Sequence, residues 1–385
     1  MNKTMMMAIA SVGTIASVSN FCFAANGTQL TGYGAKAAGM AGASVAFPQD
    51  AIAAATNPAG MAEVGSRVDG DMQILYVESD TEFLNSDNKH SGERYAPIPE
   101  FGINYQLNDQ FTLGLSTAAS GVLFRYDDAL IPNPNLDRAK GAFMQVVALP
   151  TLGYKINDQL SLGLSLALAA QRFEVQGIPL PDGSGGFPAH GVQYSYGAGW
   201  RAGALWKAND WLSLGAMYAA KIKMSNLDKY EDDLLSTVGG SFDVPEQYSV
   251  GIAVKPTDQL TFALDWQHIA WQNVDAFHEL FGWRSQDIFR AGVAYELNPQ
   301  WTVRTGYSTT RKQFGSEYAT QNALLVGINP NALTIGATRT LQNGGELTFG
   351  YEYDLTTSVK GSGPSEGTKI RTNMGFVTIG YGWKF

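Results

Sequence analysis

The sequence is poor in cysteine, in charge and in long apolar runs. Cys22 is its only cysteine, so the chain beyond it offers no disulfide, thiolate metal site or cysteine nucleophile. Four histidines, His90, His190, His268 and His278, show neither metal-ligand spacing nor a nucleophile motif. They read as surface residues, so no metal, cofactor or catalytic residue is expected and the chain is not expected to be an enzyme. Lys and Arg number 26 against 35 Asp and Glu, a net charge of −9. That balance argues against nucleic acid, because a phosphate-binding surface needs excess positive charge. After residue 24 no uninterrupted apolar run approaches the ~20 residues of a membrane-spanning helix.

What is abundant is glycine (43 residues) and aromatic side chains (17 Tyr, 19 Phe, 8 Trp), with only 16% charged residues. Apolar and polar residues are interleaved rather than blocked, which suits a transmembrane β-barrel better than a helical membrane protein. The first 24 residues, "MNKTMMMAIASVGTIASVSNFCFA", carry one lysine, an apolar stretch and a small residue, Ala24, at a plausible cleavage point. They are expected to be a secretory signal peptide.

A hairpin recurs through the body. Segments starting "GINYQLNDQ" at Gly102, "GYKINDQ" at Gly153, "GALWKANDW" at Gly203, "GIAVKPTDQ" at Gly251, "GVAYELNPQ" at Gly292 and "GATRTLQNGGE" at Gly336 each read as half-strand, tight polar turn and second strand. Their starts lie 41 to 51 residues apart; soluble propellers repeat at similar lengths, so period alone does not decide. Alternation does. Leu160, Leu162, Leu164, Leu166 and Leu168 share one face, and Ser161, Gly163, Ser165 and Ala167 the other. The polar faces carry opposed charges, Asp265, Arg290, Arg304, Glu352 and Asp354. Aromatic residues gather near strand ends, as interfacial girdles require. Six turns join twelve strands, and one strand before and one after make fourteen. The expected fold is all-β, a 14-stranded antiparallel transmembrane barrel over 66–385 in a bacterial outer membrane, with outer loops near 80–96, 126–140, 177–191, 225–243, 273–283, 312–330 and 356–369. The ending Tyr381-Gly-Trp383-Lys-Phe385 reads as a signal for the outer-membrane assembly machinery.

Residues 25–65 lack strand alternation and are rich in Ala and Gly. The stretch "QDAIAAATNPAGMA", with Asn57, Pro58 and Ala59, could be a linker, a small domain or something packed inside the rest. Small side chains and a helix signal at Asp50 favour a helical plug, or hatch, in the lumen.

With that plug, "VPEQYSVGIAVKPTDQLTFALDWQHIAW", "DIFRAGVAYELNPQWTVRTGY" and the terminal Phe, the chain resembles the FadL family of outer-membrane transporters for long-chain fatty acids and other hydrophobic compounds. The resemblance implies a barrel with an N-terminal hatch and passive movement of a hydrophobic ligand from an outer groove to a luminal site. It further implies sideways release through a kink in the third strand. In this sequence the third strand loses alternation at Ala118, Ala119, Ser120 and Gly121, which can mark a bend or a harmless small-residue patch. Phe143, Val147, Leu149, Phe173, Val175, Met217 and Phe376 are apolar at inward positions, and could line a ligand path or pack against the plug. Leu227, Tyr230, Leu234, Leu235 and Val238 share helix-like spacing and could wall an outer groove. The remaining expected partners are outer-membrane lipid and lipopolysaccharide around a monomer.

Departures from the family pattern bear on the ligand. The 177–191 loop is short, Thr28 replaces an expected aromatic, and no Pro-Asp-x-Asp-Arg run follows Trp301. The alternative reading is a plugged porin or structural outer-membrane protein for polar solutes.

Overall fold

Five of the six tight turns are built around an asparagine. Asn108 Oδ1 accepts from the N–H groups of Gln110 and Phe111, Asn157 from Gln159 and Leu160, and Asn298 from Gln300 and Trp301, all at 2.9–3.0 Å. Asn209 and Asn343 accept from Trp211 and Gly345. A short side-chain oxygen that mimics a backbone carbonyl reverses the chain in so little space, which is why the hairpin turns recur with Asn.

In the computed structural model, which describes residues 26–180, 182–325 and 327–385, these turns join β2 (Lys89–Gln106) to β3 (Phe111–Arg125), β4 (Lys140–Lys155) to β5 (Leu160–Gln176) and β6 (Gln193–Asn209) to β7 (Leu212–Ala219). They likewise join β8 (Gln247–Thr257) to β9 (Leu260–Ile269), β10 (Gln286–Asn298) to β11 (Trp301–Thr309) and β12 (Asn331–Thr340) to β13 (Glu346–Lys360). β1 (Arg67–Glu82) and β14 (Lys369–Lys384) pair from Arg67↔Lys384 to Glu82↔Lys369 and close the barrel. Closure pairs the last strand with the first and so removes the sheet's two outer edges, the condition for a sheet in a bilayer. The expected signal peptide, 1–24, lies outside the described residues.

The alternation holds as read. Leu162, Leu164, Leu166 and Leu168 are exposed on the outer face of β5, while Ser161, Gly163, Ser165 and Ala167 are buried inside. Two aromatic belts ring the exterior: Tyr105–Phe385 and Phe111–Tyr154 stack at the turn end, and Tyr76–Tyr95 and Trp200–Tyr218 meet at a tilt at the other. Tyr381, Trp383 and Phe385 are exposed on the turn-end belt.

Three expectations about the outer loops need correction. The first outer loop spans 83–88 rather than 80–96, because β1 and β2 stay paired to Glu82↔Lys89. The last loop is shorter than 356–369 because β13 runs to Lys360. Residues 228–240 form consecutive turns rather than a helix, because most of their bonds, as in Tyr230 N to Leu227 O, Leu235 N to Tyr230 O and Val238 N to Leu235 O, span three or five residues rather than a regular four. Gly239 and Gly240, both at φ near +76°, turn the chain at their end.

Residues 26–66 fill the lumen. They hold α1 (Ala35–Ala38) and two 3-10 turns, Ala53–Ala55 and Pro58–Ala62. The helix anticipated at Asp50 is a single such turn, with Asp50 Oδ1 accepting from Ile52 N. The wall meets this segment with glycine: a Cβ at Gly163 would fall on Pro58, at Gly203 on Asn57, at Gly215 on Val45, at Gly306 on Met40 and at Gly102 on Ala51. Several of these glycines are register partners, as in Gly153↔Gly163↔Gly203 and Gly215↔Gly251. The glycine that opens each repeated hairpin is therefore part of the hatch's seat.

Candidate functional site

Helices this short leave most of their backbone donors unpaired, and in the lumen the wall supplies acceptors. Asp265 Oδ2 accepts from Ser44 N (2.7 Å) and Val45 N (2.9 Å), Asp71 from Ala35 N (2.7 Å), Glu100 from Gly34 N (3.1 Å) and Asp69 from Ala51 N (2.8 Å). Asn57 caps the second 3-10 turn through Ala59 N (3.1 Å) and donates to the carbonyls of Val45 (2.8 Å) and Ala204 (3.1 Å), tying hatch to wall. Pro58 follows at the first helical position, where its missing N–H costs nothing. Lys36 and Arg67 share Glu346 at 2.6 and 2.7 Å. Charge-assisted bonds of this kind, shielded from water, hold the hatch firmly.

Above the hatch the lumen changes character. A cavity of about 750 Å³ opens among the outer loops. Its floor is Val122 and Phe124 of β3, Phe143 of β4, and Phe173 and Val175 of β5. Its walls come from the loops: Phe83, Leu130, Leu180, Phe187, Leu234, Leu235, Phe242, Leu324 and Leu325, with Phe277, Leu280 and Phe281 from α2 (Asp275–Phe281). Thr320 and Gln321 of α3 (Ala319–Asn322) complete the rim. Aromatic rings set its shape: Phe143 lies 5.3 Å from Phe242 and edge-on to Phe277 at 5.9 Å, and Phe277 stacks on Trp283 at 4.6 Å. Among the described residues the lining includes no Lys or Arg, and its acids are Glu174 and Asp233. Glu174 is paired with Lys140 (3.0 Å) and Arg172 (2.7 Å), and Asp233 with His190 Nε2 (2.7 Å).

The sequence-based site residues divide three ways. Phe143, Phe173 and Val175 line the cavity. Val147 and Leu149 pack on Ile52 and Ala55 of the hatch, and Phe376 packs with Leu30 and Leu75; Met217 is buried but outside the cavity. Of the outer-loop set, Leu234 and Leu235 line it, while Leu227, Tyr230 and Val238 are buried in the apolar cluster that surrounds it. Tyr230 stands edge-on to Phe173 at 4.9 Å and donates to Gly191 O at 2.6 Å; burial holds its phenol above its ordinary pKa. The short 177–191 loop still contributes, through Ile178, Leu180 and Phe187. Sequence reading missed Phe281, Leu324, Leu325 and Phe187, whose one signal was apolar bulk in otherwise polar loops.

At the cavity floor the wall is interrupted. β3 pairs with β4 along its whole length, Phe111↔Tyr154 to Arg125↔Lys140, but with β2 only from Gln106↔Thr112 to Gly102↔Ser116. Beyond that, Ala118 through Val122 are all buried, where a wall strand would alternate. Ala119 packs in a cluster with Ala96, Ile98 and Leu30. The N-terminal segment meets β3 there: Gly121 N donates to Thr28 O at 2.7 Å and Gln29 bridges Ser120. The other side of this segment abuts Trp271, onto whose ring a Cβ at Gly27 would fall, and Trp271 packs edge-on against Phe277 at 5.0 Å.

A closed fourteen-stranded barrel, a luminal hatch and an apolar outer cavity define a hatched outer-membrane channel for hydrophobic compounds. Residues 15–383 match the family described as outer membrane protein transport protein (OMPP1/FadL/TodX), and the chain belongs to it. That family is one of transport proteins rather than enzymes, and it places the chain in the outer membrane. Similar folds occur in a Pseudomonas aeruginosa FadL homologue (17% identity, 93% of this chain and 100% of that one, TM-score 0.69). They occur also in the Pseudomonas putida toluene transporter TodX (15%, 94% and 100%, 0.72) and the Ralstonia pickettii toluene transporter TbuX (17%, 92% and 99%, 0.67). No curated protein sequence matches the chain.

Proposed function

We propose that the chain is a passive channel for uncharged hydrophobic small molecules, captured in the outer cavity, held above the hatch and released sideways between β2 and β3. The observation that carries this is the cavity itself: about 750 Å³, aromatic-lined, without a cation, and floored by Val122, one residue past Gly121 at the interrupted ladder. A ligand burying roughly 200 Å² of apolar surface gains about 5 kcal/mol. That corresponds to an affinity between about micromolar and millimolar, weak enough to allow exit. No energy source is required if a gradient or trapping inside the cell drives net flux. With Lys140 and Arg172 both engaged by Glu174, the lining offers no free cation among the described residues to hold a carboxylate, so hydrocarbons and monoaromatics fit better than fatty acid anions. Toluene is also the cargo named for TodX and TbuX. In this reading Asn57-Pro58-Ala59 anchors a hatch that stays seated, Ala118–Gly121 form the exit, and Tyr381, Trp383 and Phe385 serve assembly.

The test is uptake after gene deletion and complementation, with a monoaromatic, an alkane and a fatty acid as probes. Monoaromatic uptake is expected to fall on deletion and return on complementation. Unchanged uptake of all three, with large salt-dependent conductance in planar bilayers, would instead identify a polar-solute pore.

A further inference from the structure

We propose that Pro97 and Pro99 of β2 are the positioning residues that keep the β2–β3 seam unpaired. The argument starts at Phe101, whose N–H donates to Thr117 Oγ1 (2.9 Å) and whose carbonyl accepts from the same hydroxyl (3.2 Å). Phe101 thus turns its backbone polar groups toward β3. In a strand these groups change sides at each residue, so every second residue faces the same neighbour. The nitrogens of Pro99 and Pro97 therefore face β3 as well.

Extending the Gly102↔Ser116 register outward sets Phe101 opposite Thr117, Pro99 opposite Ala119 and Pro97 opposite Gly121. Each of those pairs needs a donor from β2, and proline has none. The opposite ladder is untouched: β2 stays in register with β1 through Met72↔Pro99 and Ile74↔Pro97, where the facing groups come from the residues in between. Two prolines at this spacing thus remove successive bonds from one edge of the strand and none from the other. Proline inside a sheet is otherwise confined to edges and bulges, and here it creates an edge within a closed barrel.

The missing donors would strand carbonyls on β3, and even the Gly121 amide, which could still donate to the Pro97 carbonyl, bonds the N-terminal segment instead. Gly121 N, which would face Pro97, donates to Thr28 O, and Gln29 bridges Ser120. A segment of the hatch, rather than a strand of the wall, fills the place of the missing partner. Pro99 is exposed and Pro97 half-buried on the lipid-facing side of β2, so neither lines the cavity; both act through the seam. The consequence for transport rests on the sideways-release reading above, whereas the effect on pairing does not.

The experiment replaces both prolines with valine, Pro97→Val with Pro99→Val, in the full chain. Two readings are taken: residue-resolved amide hydrogen exchange in detergent and uptake of a monoaromatic in cells. The ladder is expected to extend: the new amide at position 99, donating to the Ala119 carbonyl, should be protected about tenfold, of the order one added backbone bond supplies. The Ala119 amide, opposite the carbonyl of position 99, should slow with it, and uptake is expected to fall by a similar factor. Slowed exchange with unchanged uptake would leave the prolines' role standing and overturn sideways release. Unchanged exchange at Ala119 would overturn the proposal whatever uptake does. If the double variant fails to insert, Pro99→Val alone restores the donor opposite Ala119, and the same exchange reading decides.

Discussion

Replacement of Gly163 by valine is expected to turn a sealed barrel into an ion-conducting pore. A Cβ at this position falls on the carbonyl carbon of Pro58 and the nitrogen of Ala59, backbone atoms that cannot swing aside as a side chain can. Overpacking of this kind typically costs about 1–3 kcal/mol, and that shifts a seated–unseated equilibrium by roughly 5- to 150-fold. The wall should survive, because Gly163 is paired on both sides, with Gly153 and Gly203, and valine suits a strand. Single-channel recording reads the result as frequent large openings. An Ile379→Val change on the exposed outer face of β14 should leave conductance at the wild-type level. A silent, fully folded Gly163→Val barrel would mean that the hatch is not held by close backbone contact with the glycine belt.

The second large effect is expected at the cavity floor. Phe143→Asp removes a ring packed against Phe242 and Phe277 and places a carboxylate in an apolar cavity. Burying an unpaired polar group costs about 2–7 kcal/mol, a penalty avoided when water enters, and water displaces an apolar ligand. Uptake of a monoaromatic should fall more than about tenfold, the equivalent of 1.4 kcal/mol, while Phe143→Leu retains most of it. Because Phe143 is at the extracellular end of β4 and outside the hatch contacts, conductance should stay low. Equal uptake by Phe143→Asp and wild type would remove the cavity from the transport route.

How much of this could be read from sequence follows from the range of each interaction. Turns and faces are local: Asn108, Asn157, Asn209 and Asn298 reverse the chain through their own side chains, and the leucines of β5 declare their face by alternation. Fourteen strands and a luminal hatch followed. The cavity is assembled from loops far apart in sequence, such as those carrying Phe83, Phe187 and Leu325, and no period marks residues that converge only in the fold. For the same reason the inward apolar positions read alike, although Val147 and Leu149 serve the hatch while Phe143 and Phe173 serve the cavity. The small residues at Ala118–Gly121 drew notice to β3, but the missing donors are on β2. Proline counts as a break only once the neighbouring strand and register are known.

The central claim is that ligand leaves between β2 and β3, past the N-terminal segment. Gln29 and Ser120 form an antiparallel bridge, a geometry whose Cα separation of about 4.5–5.5 Å falls within the range a disulfide spans. The described residues contain no cysteine, so Gln29→Cys with Ser120→Cys introduces one possible crosslink among them. Monoaromatic uptake measured before and after reduction tests the route most directly. The account predicts that uptake is lost while the bond is oxidised and returns on reduction. Equal uptake in both states, with the disulfide fully formed, would contradict it.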